Sequence, residues 1–476
     1  MESHTGIRSL VVEGLHEQFD VELEFKPGLN IIYGKNGKGK TTVLHILANA
    51  LEMDFKRFKF LSFRRIEIST FGGVKLEIRK TLSPDNVEVL IDGEATSLLN
   101  SSEGLSELEM ASIRSAIGER STYLPAFRSV LERVREESGL YYKDRTRDPN
   151  VDEIETKEFQ ALREKPGVKK GRDILEIRAF REEASITARK TVQCRQWFGP
   201  FVPTIRYPSI MEVDDGLSSE WRAAQLEMAE REQNMFADVF VKVFRTIVGL
   251  DNPQKHFDIE DALSSIAESL DSKDYQLGNR RSELISAQLL DAMQFLKNKA
   301  THETQSIEKS VLGLYVETLI ERKDGRKNAL QGSRDFETSI NKFLGKQKTL
   351  RIGESAARER TRSSVTVGTE GGRSYGLSAL SSGERQILTM LYSASRSRFK
   401  DGIFLIDEPE LSLHIDWQRM ILKELMALAP DRQIIACTHS PEVGADHFEE
   451  TQDFEPQLVK PAQDDLFEDV DDVDGE

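Results

Sequence analysis

A glycine-rich segment near the start of the chain restricts the local backbone more than any other part of the sequence. Residues 34–41 read Gly-Lys-Asn-Gly-Lys-Gly-Lys-Thr and match the pattern GxxxxGK[ST]. The apolar run Leu29–Tyr33 precedes the segment, and a stretch with helical apolar spacing follows from Thr42. This order predicts a strand, a tight turn and a helix, with main-chain N–H groups directed at an anion. We therefore expect an α/β fold with a phosphate site at the end of a strand.

The chemistry of this segment indicates a nucleoside triphosphate. Lys40 would supply a positive charge to the β- and γ-phosphates, and the Thr41 hydroxyl would bind Mg²⁺. A glycine-rich turn that binds nothing is the alternative, and the flanking strand and helix disfavour it. The predicted nucleotide-binding residues here are Gly34, Lys35, Asn36, Gly37, Lys38, Gly39, Lys40, Thr41 and Thr42.

Two later apolar strands end in chemically active side chains. Residues 403–406 are Ile-Phe-Leu-Ile, and Asp407 and Glu408 follow them directly. A cation at Asp407 would relieve the repulsion between adjacent carboxylates and leave Glu408 free to act as a general base. Residues 433–437 form another buried strand that ends at His439. A histidine at this edge of an α/β sheet faces the ligand crevice, although an isolated histidine is more often structural.

A third segment, Leu-Ser-Ser-Gly-Glu-Arg-Gln at 380–386, precedes a helix. Its serine and glycine residues at a helix start form a weak anion-binding signal, with Ser382 and Gly383 expected to begin the helix.

As an ordered set, these motifs resemble the ABC-type ATPases of the SMC/RecF-like superfamily over residues 1–130 and 345–445. The resemblance identifies 34–41 as a Walker A motif, 380–386 as the signature, 403–408 as Walker B, 410–414 as the D-loop and His439 as the switch histidine. It implies that Glu408 and His439 are catalytic and that Thr41 and Asp407 hold Mg²⁺. It also implies that Ser381, Gly383 and Glu384 of one head contact ATP held by another.

One family feature lacks a clear counterpart, because no glutamine occupies the expected Q-loop. Residues 123–128, Tyr-Leu-Pro-Ala-Phe-Arg, lie at that place. Arg128 has two equally supported interpretations: a partner for a phosphate or carboxylate, or a member of a structural ion pair.

The domain prediction follows from these motifs. We expect an ABC-type head, a mixed sheet with an antiparallel subsheet, split by a helical insertion. The predicted boundaries are 1–132 for the first half of the head, 133–345 for the insertion and 346–460 for the second half. An acidic, disordered tail is predicted at 461–476. The insertion lacks sustained a/d heptads, so it predicts a compact bundle or short hairpins rather than long arms.

Composition limits the class of protein. The formal charge is −16, and no apolar stretch is long enough to span a membrane. Cys194 and Cys437 form no disulfide or metal pattern. We expect a cytoplasmic protein with no membrane partner.

The predicted function is ATP hydrolysis coupled to homo-oligomerisation. Short-insert heads of this kind resemble ATPase components of bacterial anti-phage systems such as PARIS AriA and Septu PtuA, which implies a sensor or scaffold that controls a nuclease partner. No intrinsic nuclease is predicted, since no second catalytic cluster is evident. The main alternative is a RecF/SMC-like repair or recombination ATPase that clamps DNA, and nucleic-acid binding stays open. A transporter's nucleotide-binding subunit is the third alternative, which the large insertion disfavours.

Overall fold

The computed structural model describes residues 6–81, 87–99, 114, 121–128, 131, 149–163, 174–247, 305–353, 364–395 and 402–459. The chain groups into two compact units, Met1–Ser209 with Ser381–Glu476, and Ile210–Leu380. The acidic tail predicted at 461–476 and residues 281–304 of the predicted insertion lie outside the described residues.

The first unit contains a five-stranded parallel sheet in the order β14-β3-β13-β12-β8. Its strands are β3 (Leu29–Tyr33), β8 (Thr122–Leu124), β12 (Phe404–Asp407), β13 (Ile434–Thr438) and β14 (Thr451–Asp453). Every residue of β8, β12 and β13 is buried. This pattern is typical of parallel strands covered on both faces, which read as continuous apolar runs.

The first unit also contains a seven-stranded antiparallel sheet, in the order β15-β2-β1-β4-β5-β6-β7. Its strands are β1 (Ile7–Leu15), β2 (Phe19–Glu24), β4 (Arg65–Thr70), β5 (Lys75–Lys80), β6 (Val87–Ile91), β7 (Glu94–Leu99) and β15 (Gln457–Leu458). The Gln433 side chain joins the two sheets, because its amide accepts from Ile7 N at 2.8 Å and donates to Ile7 O at 2.7 Å. The predicted mixed α/β class, with an antiparallel subsheet beside a parallel sheet, is confirmed.

Five described helices belong to the first unit: α1 (Lys40–Leu51), α2 (Pro149–Arg163), α3 (Ile174–Phe198), α6 (Ser382–Ser395) and α7 (Ile415–Leu428). A largely buried arginine connects three parts of this unit. Arg206 donates to both carboxylate oxygens of Glu52, after α1, and to both of Glu158, in α2. Burial alone would lower the pKa of Arg206, yet the carboxylates of Glu158 and Glu52 raise it. Both α2 and α3, which lie in the predicted insertion 133–345, group with the first compact unit.

The second unit comprises α4 (Ile210–Ile247), α5 (Gln305–Leu344) and the three-stranded antiparallel sheet β11-β10-β9. These strands are β9 (Lys348–Ile352), β10 (Val365–Thr369) and β11 (Ser374–Tyr375). The two helices pack on each other, and α5 also packs against β9. The insertion boundaries at 133 and 345 stay a prediction, and the sequence interval 346–380 belongs to this second unit. No helix in the described part of the chain is long and apolar enough to cross a bilayer.

Candidate functional site

The parallel sheet brings the predicted site residues to one edge. The strands β3, β12 and β13 run in parallel, so their carboxyl ends meet there. Gly34 follows β3, Glu408 follows β12 and His439 follows β13. In open α/β sheets, ligands bind at this edge. The strand order therefore brings together segments that lie 374 residues (Gly34 to Glu408) and 405 residues (Gly34 to His439) apart in the sequence.

The turn between β3 and α1 depends on glycine. Gly37 and Gly39 have φ values of 78° and 102°, which strongly favour glycine over residues with a Cβ. Lys40 is buried, and its Nζ donates to the carbonyls of Gly34 at 2.7 Å and Lys35 at 3.2 Å. A cation thus occupies the inside of the turn, next to the N-terminus of α1 where N–H groups lack helical partners. This is the arrangement that an anionic phosphate requires.

Asp407 and Thr41 come together as predicted for a magnesium site. The Thr41 hydroxyl donates to Oδ2 of Asp407 at 2.9 Å, and Oδ1 of Asp407 is buried with no hydrogen-bond partner among the described residues. Burial raises the pKa of Asp407 to about 6, against the opposing effects of Thr41 and Arg128. A hard divalent cation would satisfy the unpartnered oxygen and favour the charged carboxylate, so these residues fit Mg²⁺.

Glu408 turns away from Asp407 although the two are adjacent. Its φ of 48° lies in the left-handed region, which side-chain-bearing residues rarely adopt. The carboxylate lies 3.7 Å from Nζ of Lys40, and its Oε2 contacts Nδ1 of His439 closely. The ring of His439 also lies 3.2 Å from Glu410. The structure therefore places the predicted base, the phosphate-loop lysine and the switch histidine within contact distance.

Glu410 holds the loop that carries His439, a contact that sequence reasoning missed. Its Oε1 accepts from Thr438 Oγ1 at 2.5 Å and from the N–H groups of His439 and Ser440, both at 3.1 Å. Burial raises the pKa of Glu410, and its hydrogen bond with Glu408 raises it further. The family resemblance placed Glu410 in the D-loop, but the sequence pattern gave no indication of its partners.

The signature segment forms a compact helix start. The Ser381 N–H donates to the Glu384 carboxylate at 2.6 Å, and the Glu384 N–H donates to Ser381 Oγ at 3.4 Å. This reciprocal pair is a capping box. The helix begins at Ser382 as expected, with Ser381 as its cap, and the Ser381 hydroxyl is positioned by Glu384. No hydrogen bond or ion pair among the described residues joins Ser381 or Gly383 to residues 34–41, so the structure does not bring these two predicted groups together within one chain.

Arg128 has partners that neither interpretation of the sequence predicted. Its guanidinium is fully buried and donates to main-chain carbonyls, including those of Asp407, Glu408 and Pro409. The residue at the expected Q-loop position thus faces inward to the turn after β12 rather than outward to a ligand.

Comparisons with known proteins yield one family match. The family model described as "AAA ATPase domain" matches residues 7–443. No curated protein matches the chain.

Several solved structures are loosely similar. One is an Smc head domain with an extended coiled coil, bound to the C-terminal domain of ScpA, from Pyrococcus furiosus; it is 13% identical, with a TM-score of 0.37 and coverage of 92% of this chain and 91% of that chain. Another is an Smc head domain with a coiled coil and joint from Pyrococcus yayanosii, 14% identical, with a TM-score of 0.35 and coverage of 92% and 93%. A third, an Smc head bound to the C-winged helix domain of ScpA, is 10% identical, with a TM-score of 0.38 and coverage of 95% and 98%. At these TM-scores the likeness carries no argument about function.

Proposed function

The chain belongs to the AAA ATPase domain family, and we propose that it is an ABC-type ATPase that hydrolyses ATP with Glu408 as general base. The observation that carries this proposal is the meeting of Lys40, Asp407, Glu408 and His439 at one edge of the parallel sheet. These side chains come from three separate segments, and all have the chemistry that phosphoryl transfer to water requires.

The roles follow from the contacts. Lys40 and the N–H groups of residues 34–42 would bind the phosphates, and Thr41 and Asp407 would hold Mg²⁺, which offsets phosphate charge. Glu408 would take the proton of the attacking water. His439, in contact with Glu408, would orient this carboxylate and sense the terminal phosphate.

The experiment that tests the proposal is Glu408→Gln. The amide keeps the shape of the side chain but cannot accept a proton, so we expect an ATPase rate at least about 100-fold lower with ATP binding retained. A matched control is Glu442→Gln, because Glu442 pairs with Arg419 on the surface rather than with the site. Near-normal turnover of Glu408→Gln would show that another group is the base.

We further propose that two chains form the complete site. The hydrogen bonds of Ser381 stay within its own turn, and its hydroxyl lies at a helix N-terminus, where an anion is favoured. A second chain would supply Ser381 and Gly383 to the ATP held by the first. Mass measurement of Glu408→Gln with ATP should then show a dimer or higher homo-oligomer, whereas a strictly monomeric protein would contradict this arrangement.

The biological role that we propose is control of a protein effector, a nuclease in a cytoplasmic anti-phage system. The resemblance of the motif set supports it, together with the exposure of Phe240 and Phe244 on α4, since exposed aromatic side chains are common at protein interfaces. The purified chain should hydrolyse ATP and cut neither DNA nor RNA. Salt-sensitive duplex binding with no protein partner would instead favour a repair ATPase.

A further inference from the structure

Arg128 contacts three successive carbonyls of the turn that carries the catalytic carboxylates. One terminal nitrogen donates to Asp407 O at 3.0 Å, and the other donates to Glu408 O at 2.8 Å and Pro409 O at 3.0 Å. The side chain has no exposed surface. Charge-assisted hydrogen bonds of this kind are about twice as strong as neutral ones. A single buried cation therefore fixes the main chain on both sides of Glu408.

The turn needs such a restraint because its backbone is strained. A non-glycine residue with the φ of Glu408, 48°, is strained and persists only where its surroundings enforce this conformation. The N–H of Glu408 donates to Cys437 O at 2.8 Å, and its carbonyl accepts from Arg128. The left-handed backbone directs the Glu408 carboxylate towards Lys40 and His439 instead of alongside Asp407.

The position of Arg128 is itself fixed by neighbouring residues. Its other hydrogen bond goes to Pro125 O at 3.3 Å, which closes the segment after β8. Next to it, Phe127 stacks on Phe198 at the end of α3, with ring centroids 3.9 Å apart and planes 15° apart. The guanidinium therefore enters the catalytic turn from a segment that is anchored at both of its ends.

From these contacts we infer that Arg128 is a positioning residue for ATP hydrolysis, holding the main chain of Glu408 so that its carboxylate meets the attacking water. The inference rests on the proposed function of Glu408. Arginine is required because its planar fork spans three carbonyls, whereas the single ammonium of lysine cannot occupy the same positions. A loss of this restraint should lower kcat while leaving the phosphate loop, and hence the KM for ATP, unchanged.

The test compares Arg128→Lys with Arg432→Lys. Arg432 is a matched control, since it is also buried and donates to the carbonyls of Gly402 and Ala394 and to the Thr122 hydroxyl, which all lie outside residues 407–409. For Arg128→Lys we expect kcat to fall by about 10- to 100-fold, the scale for a displacement of about 1 Å. The KM for ATP should stay within about twofold of wild type, because the contacts of Lys40 are untouched. Arg432→Lys should keep the wild-type kcat.

Two further variants separate positioning from stability. In Arg128→Ala, added guanidinium ion should restore part of kcat by refilling the vacated site, and it should not raise the kcat of Arg432→Ala. Should Arg128→Lys and Arg128→Ala both fail to fold, Phe127→Leu keeps the guanidinium but removes its stacked anchor, and it should lower kcat at constant KM. Equal kcat values for folded Arg128→Lys and Arg432→Lys, or for Phe127→Leu and wild type, would overturn the inference. A wild-type protein that does not hydrolyse ATP would overturn the proposed function instead.

Discussion

His45, in the helix that follows the phosphate loop, should make the protein less stable in mild acid. Its Nε2 lies 2.9 Å from the Tyr123 hydroxyl, and its ring packs edge-on to that of Tyr123 and near that of Phe201. Burial lowers the pKa of His45 to about 3. The perturbation is His45→Gln, which keeps a polar group near Tyr123 but cannot gain a proton.

The sign and size follow from proton linkage. When the pKa of a histidine is lowered in the folded state, the unfolded chain takes up the proton at a higher pH than the folded protein does. The free energy of unfolding therefore falls as the pH drops below about 6.5. Between pH 7.5 and pH 5.5, His45 should account for a loss of about 1.4 kcal/mol. The loss of unfolding free energy has the same size for any folded-state pKa of His45 below about 4.5. It therefore requires only that the ring be buried and neutral, and it does not depend on the exact value of the folded-state pKa.

The assay is denaturant unfolding at pH 7.5 and pH 5.5, followed by fluorescence. Wild type should lose about 1.4 kcal/mol more than His45→Gln between the two pH values, whatever the variant's stability at pH 7.5. His414→Gln is the control, because the side chain of His414 is exposed at 68%. The same pH dependence in wild type and His45→Gln would refute the argument that the ring is held neutral.

The other predictions concern assembly, the tail and the buried ion network. Ser381→Arg should abolish hydrolysis but not ATP binding by a single head. Mixing this variant with Lys40→Ala protein should restore some ATPase activity, because a mixed dimer can hold one intact composite site. If the two variants mix and no activity returns, the shared site is excluded. Deletion of 464–476 should leave ATPase activity and Tm nearly unchanged, since a segment this acidic contributes little core, and a large fall in Tm would show that the tail docks. Arg206→Met should destabilise the protein by about 3–5 kcal/mol in denaturant unfolding, because it leaves the carboxylates of Glu52 and Glu158 buried without their cation, and an unchanged midpoint would contradict this.

The sequence best predicted those strands and turns that are determined by residues close together in the chain. The strands Arg65–Thr70, Lys75–Lys80 and Val87–Ile91 belong to the antiparallel subsheet that the sequence predicted. Apolar and polar residues alternate along the first two strands, and Asp92-Gly93 provides the turn after the third. The strand–turn–helix around Lys40 was likewise predictable, because the glycine spacing and the apolar flanks act over a few residues.

Local sequence patterns could not predict contacts between residues that lie far apart in the sequence. The carbonyl partners of Arg128 are about 280 residues away, so nothing near Arg128 could distinguish a ligand contact from a structural one. The same reason explains why the contacts of Glu410 with residues 438–440, and those of α2 with Arg206, were not predicted. The ion pairs that join α2 to the head through Arg206 connect residues 48 and 154 positions apart.

The strand order also has a consequence for how the protein is made on the ribosome. The strand before the phosphate loop, β3, pairs on one side with β13 and on the other with β14. Both partners are synthesised about 400 residues later, which is roughly 20–80 s at ordinary elongation rates. During that interval β3 has neither neighbour, and the carboxylates of β12 have not yet reached the phosphate loop. A nascent chain therefore cannot assemble this edge of the sheet until β13 has emerged, so the proposed ATP turnover would require a polypeptide synthesised past that strand.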